Sequence, residues 1–166
     1  MQNAVKRNFI LQQGFEDPDP AACPLEYSAL HFQPRIVFVW IVAGIVFQSP
    51  GVFAVLCAVL WWNALLPKLN PFDALYNLTI GSRPRAFRLR PAPAPRRVAQ
   101  SMAGAFALIT ALLIHARFSL AAYVVEAIFL AAVLALTLGG FCLGSFVYHL
   151  LRGQARFARQ TLPWAS

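Results

Sequence analysis

SLAAYVVEAIFLAAVLALTLGGFCLGSFVYHLL, residues 119–151, is the stretch that decides the fold. Its one charged side chain is Glu126, and His149 stands near its end. A membrane-crossing helix needs about 20 consecutive apolar residues, and this run exceeds that. It is too long and too apolar for the core of a soluble domain of this size, so it reads as one membrane-spanning helix. The run also holds a motif-like cluster, GGFCLGS, at 139–145.

The composition of the whole chain agrees. Of its 166 residues 59% are hydrophobic and 12% charged. Soluble domains carry roughly twice that charge. Mean hydropathy is +0.60, and the class is integral membrane protein. The net charge of +8 lies in the segments between apolar runs and not on a folded polar face. Anionic lipid, rather than nucleic acid, is therefore the expected partner of that charge. The three cysteines, Cys23, Cys57 and Cys142, lie in separate segments without a C-x-x-C pair, which argues against a disulfide framework. Lys6 and Arg7 are not followed by an apolar core, so the N-terminus reads as a retained arm and not as a cleaved signal.

The remaining chain divides around further apolar runs. Residues 1–28 read as a polar arm, with EDPDPAACP at 16–24 too rich in proline for a helix. Residues 29–66 read as a first hairpin, with one span to Gln48 and a second from Pro50 to Leu66. Ser49 suits the N-cap of the second and Pro50 its first helical position. Residues 67–97 form a Pro/Arg-rich connection holding seven basic residues and one acid, Asp73. Within it, Asn70 is expected to cap a short helix starting at Pro71, with Phe72, Leu75 and Tyr76 sharing one face. Residues 81–95 read as extended chain. Residues 98–151 form a second hairpin that turns at 115–119, with Ser119 as cap, and residues 152–166 form a basic tail. The expected architecture is all-α: four transmembrane helices arranged as two hairpins.

Charge counting orients that architecture. Thirteen of the fourteen Lys and Arg residues fall on one side of a four-span topology, and Arg117 is the exception. The positive-inside rule then places the arm, the basic connection and the tail, with both termini, in the cytoplasm.

Several residues stand out as candidate sites. A charged carboxylate at the centre of a span costs roughly 2.5–3.5 kcal/mol on insertion scales, so Glu126 is a functional candidate, with Thr110 across the hairpin as its expected partner. Ala127, Ala131, Ala135 and Gly139 recur every four residues, and Gly140 and Gly144 add a G-x-x-x-G spacing. Such a ridge lets another helix lie close. Cys142 is a candidate redox thiol, although Ser145 occupies the position a resolving cysteine would need. Arg83, Arg85, Arg88, Arg90, Arg96 and Arg97 are expected to contact anionic lipid or a partner protein. His31, His115 and His149 lie apart, so no metal site, catalytic set or cofactor site is expected.

The segments GGFCLGSFVYHLL at 139–151 and LLPKLNPFDALYNLTIG at 65–81 carry a resemblance. Together they resemble a family of small bacterial four-helix membrane proteins known only as a domain of unknown function, and the resemblance implies the bacterial inner membrane as the location. Relatives show a Gly-Phe-Cys-x-Gly-Cys motif ending the last span and a proline-centred segment after the second. Gly140, Phe141, Cys142 and Gly144 match, and Ser145 departs from the second cysteine. The resemblance covers about residues 33–151 and implies that any dithiol reaction of relatives is absent from this chain. The expected function is a non-catalytic accessory or assembly subunit of a larger membrane complex, respiratory or photosynthetic, docked through the small-residue ridge. The alternatives are a membrane thiol-redox protein using Cys142 and a small carrier using Glu126.

Overall fold

The computed structural model describes residues 2–84 and 86–165, and every regular element within them is helical. Three helices are long and apolar enough to cross a membrane, not the four expected. The first is a 25-residue helix, Cys23–Phe47. It comprises α2 (Cys23–Leu30) and α3 (Phe32–Phe47), which run on because His31 between them keeps helical dihedrals. The second is α6 (Ala94–His115) and the third α7 (Ser119–Thr137). Between them in the chain lies α4 (Pro50–Leu65), apolar but only 16 residues long. At 1.5 Å per residue it spans about 24 Å, short of a ~30 Å hydrocarbon layer.

It is the expected second span that falls short, and the expected last one is also shorter than read, since residues 119–151 do not form one helix. The chain leaves helical geometry after Thr137 and resumes in α8 (Leu143–Leu151). Gly140 makes the break: it adopts φ +62°, a left-handed conformation that glycine enters without a Cβ penalty. The Phe141 N–H then donates back to Ala135 O at 3.1 Å, sharing that carbonyl with the Gly139 N–H at 3.0 Å, and folds the chain back over the helix end. The expected G-x-x-x-G face therefore does not exist as a helix face. Gly144 instead brings α8 against α6, where an added Cβ would lie 2.5 Å from the Ala99 Cα.

The four longer helices pack around Ile41, Phe53, Leu56, Leu60, Ala107 and Phe129. Two local expectations hold. Ser49 caps α4 by accepting from the Val52 N–H, and Asn70 Oδ1 caps α5 (Pro71–Thr79) by accepting from the Phe72 and Asp73 N–H groups. Two do not. Ser119 makes no capping bond, because the cap position falls on Phe118. On α5 the buried face is Phe72, Asp73 and Tyr76, while Leu75 is exposed.

The N-terminal segment is a helix, α1 (Gln2–Gln12), and not a loose arm. Phe9 and Ile10 are fully buried in a second apolar cluster with Cys23, Leu30, Tyr76 and Leu89. The arm, the basic connection, α8 and the terminal α9 (Ala155–Gln160) thus gather at one end of the bundle, and the two tight turns at 48–49 and 116–118 lie at the other.

A chamber beside buried polar groups at the basic end

The densest set of buried polar groups lies where α1, α3, α5, α6 and α8 meet. Arg96 and Gln100 sit one turn apart near the start of α6, so their side chains share a face. Both are buried, Arg96 at 5% exposure. Gln33 Oε1 accepts from Arg96 Nη2 and from Gln100 Nε2, each at 3.0 Å. Asp73 gives Arg96 its one ion-pair contact, at 3.4 Å, and its other oxygen accepts from Asn70 Nδ2 at 2.9 Å. Burial raises the Asp73 carboxyl above its ordinary range, and the neighbouring guanidinium holds back part of that rise. Three buried side-chain atoms in this region have no partner among the described residues: Arg96 Nη1, Gln100 Oε1 and Gln12 Nε2.

A cavity of about 80 Å³ opens beside these groups. Arg96, Gln33, Gln100, Gln13 and Cys142 line it, and Val37, Leu60, Val133 and Leu136 supply apolar walls. A second cavity of about 70 Å³, lined by Met102, Phe106, Phe129 and Gly144, shares Cys142 and Ala103 with the first.

Cys142 is the N-cap of α8 and is 5% exposed. Its N–H donates to Gln12 Oε1 at 2.9 Å, and its Sγ accepts from the Ser145 hydroxyl at 3.3 Å. Burial pushes the thiol above its ordinary range, opposed by Ser145, the Gly144 backbone N–H and Arg96. His149 follows on the same helix, with Nε2 3.0 Å from Gln12 O and Nδ1 2.7 Å from Gln154 Oε1. It is a buried tie between α1 and α8 and not an interfacial side chain.

The other expected residues are placed differently. Glu126 is buried and accepts from Gln48 Nε2 at 3.2 and 3.1 Å. Thr110 is not its partner: its hydroxyl donates to Phe106 O on its own helix. Ala127, Ala131 and Gly139 are exposed and Ala135 half-buried, because α7 packs inward through Ala122, Glu126, Phe129 and Val133. The small-residue ridge therefore faces out of the bundle. Of the six arginines grouped as lipid contacts, Arg83, Arg88 and Arg90 are exposed, and Arg90 lies 3.5 Å from Glu16. Arg85 lies outside the described residues. Arg96 is buried in the chamber, and Arg97 donates through Nε to Ala64 O at 2.6 Å, closing the end of α4. These two depart from the set because α6 begins at Ala94 and lifts them off the extended segment. No group of three His, Cys, Asp or Glu side chains among the described residues is arranged to hold a metal ion.

The chamber groups that sequence reasoning missed are Gln33, Gln100, Gln12 and the role of Asp73. A signal was present: Arg96 and Gln100 stand four residues apart at the mouth of an apolar run, and Asp73 is the one acid of its basic segment. Neither feature says that the two segments meet.

A family model described as Domain of unknown function (DUF4395) matches residues 26–153, more than three quarters of the chain. The match includes Gln33, Asp73, Arg96, Gln100 and Cys142 and leaves out α1. No curated protein and no solved structure matches the chain.

Proposed function

The chain belongs to the DUF4395 family, a domain of unknown function, and on that premise we propose a multi-pass membrane protein that takes up a small ligand in the chamber between Arg96 and Cys142. One observation carries this reading: Arg96, buried to 5% exposure, lines a cavity and has an Nη1 without a hydrogen-bond partner. A buried charge without full pairing is costly, and such groups concentrate where a ligand completes them. The lining offers amides, a guanidinium and one buried thiol, which supports a binding role. The concentration of basic residues at the chamber's end of the bundle supports placing that end in the cytoplasm of a bacterial cell. Packing of α4 along α6 supports a fourth crossing element despite its length.

Cysteine alkylation tests the chamber. In detergent micelles, iodoacetamide is expected to modify Cys142, and a polymer-linked maleimide is expected to leave it untouched, as read by peptide mass spectrometry that separates the three cysteines. Ala103→Leu, which fills space shared by both cavities, should slow the small reagent without lowering Tm. A folded protein whose Cys142 resists iodoacetamide over the time that modifies the unfolded chain has no usable chamber.

A second reading, an accessory subunit docked by Ala127, Ala131, Ala135 and Gly139, is favoured by the outward direction of that ridge. Native-gel mass spectrometry of the tagged chain from its own membrane tests it, and a chain that migrates alone removes it. Disulfide exchange at Cys142 has less support, since the thiol is buried and Ser145 supplies no resolving sulfur. A carrier role for Glu126 has less still, since Gln48 occupies its carboxylate and it lines neither cavity.

A further inference from the structure

Resting on the chamber reading, we infer that the ligand is a small monovalent anion of about three or four heavy atoms, held by Arg96 Nη1 against apolar walls. The charge balance points there. Arg96 Nη2 is shared between Gln33 Oε1 and Asp73 Oδ1, and the Asp73 contact, at 3.4 Å, is longer than an ordinary charge-assisted bond. Asp73 is in turn drawn toward Asn70, which takes its second oxygen at 2.9 Å. Gln33 Oε1 already accepts twice and has no capacity left for another donor. The guanidinium's ion pair is thus long, one of its donors is without a partner, and Arg96 lines the cavity.

Size and wall chemistry narrow the class. An apolar cavity of about 150 Å³ holds benzene, with six heavy atoms, so one of about 80 Å³ suits a ligand of about three or four. Nitrate, formate, bicarbonate and thiocyanate are of this size. Sulfate and phosphate are more strongly hydrated, and Val37, Leu60, Val133 and Leu136 offer nothing to replace that hydration. Gln100 Oε1, an acceptor without a partner, suits an anion that also carries a proton, as bicarbonate does.

The test titrates sodium nitrate and sodium bicarbonate into protein held in neutral-lipid nanodiscs, over a gluconate background too large for the chamber. Two readings are taken. In the wild-type protein the anion should slow Cys142 alkylation saturably, by about tenfold at ten times its Kd. In Cys142→Ala, which removes the thiol and keeps the guanidinium, it should raise Tm saturably, and sulfate should do neither. Gln100→Glu places a carboxylate of nearly the same shape beside Arg96 Nη1. It should raise Tm by itself and abolish the response to nitrate. Absence of a saturable Tm response in Cys142→Ala overturns the inference, as does an undiminished nitrate response in Gln100→Glu. Ready alkylation of Cys142 that no anion slows, with no Tm response, leaves the chamber and removes the anion. An unreactive Cys142 removes the uptake reading, and the Tm response of Cys142→Ala then decides the anion by itself.

Discussion

Arg96 and Arg97 are neighbours of one type in one basic segment, yet one is enclosed with Asp73 and Gln33 and the other closes the end of a neighbouring helix. Their fates diverge because successive residues on a helix point about 100° apart. Nothing in a count of charges carries that angle. Cys142 shows the same dependence on surroundings. A thiol reacts as its thiolate, and burial disfavours that form, so the folded protein keeps the Cys142 proton beyond the ordinary range. Alkylation of folded Cys142 should therefore keep accelerating with pH past about 8.5, where a free thiol begins to level off. Stability carries the same sign. The folded state holds the proton longer, so unfolding free energy is unaffected below the unfolded value and falls as pH rises through it. Chemical denaturation between neutral and alkaline pH, compared with Cys142→Ala, measures the effect. A pH dependence equal in the two proteins contradicts the placement of the thiol.

At the scale of elements, the decisive event is the break after Thr137. Apolar character runs from Ser119 to Leu151 without interruption, and hydropathy alone reads one helix. The chain turns instead because Gly140 can enter the left-handed region and Gly144 lets α8 lie on α6. The pair Gly139-Gly140 was visible in the sequence as a packing signal, and its meaning as a helix end was not. A Cβ at residue 144 would meet the Ala99 backbone, which cannot rotate away. Gly144→Leu should therefore cost at least about 1–3 kcal/mol, the range for overpacking a tight contact. Ser145→Ala, on the next residue, should cost less, since it removes one bond to sulfur and adds no volume. Thermal unfolding in micelles ranks the two, and equal losses would contradict the close approach of α8 to α6.

The whole molecule has two unlike ends. One holds the tight turns with Gln48 and Arg117, and the other holds both terminal segments, the basic connection and the chamber. Single cysteines introduced at Arg117 and at Arg159 should accordingly be labelled by an impermeant maleimide from opposite faces of sealed vesicles, the Arg159→Cys site from the cytoplasmic face. Labelling of both from one face refutes the paired-hairpin topology. The amino-acid sequence by itself determined the all-α class, the presence of helices apolar enough to cross a membrane, the segregation of charge to one end and the caps at Ser49 and Asn70. Each of these follows from local composition or from contacts within a few residues. Tertiary structure decided the rest: the break in the last apolar run, the outward direction of the alanine ridge, the pairing of Glu126 with Gln48, and the chamber. The chamber joins residues 33, 73, 96, 100 and 142, distant in sequence and drawn from three helices and the cap of a fourth. Such a meeting is fixed by how helices pack against one another, and the periodicity of any one helix does not contain it.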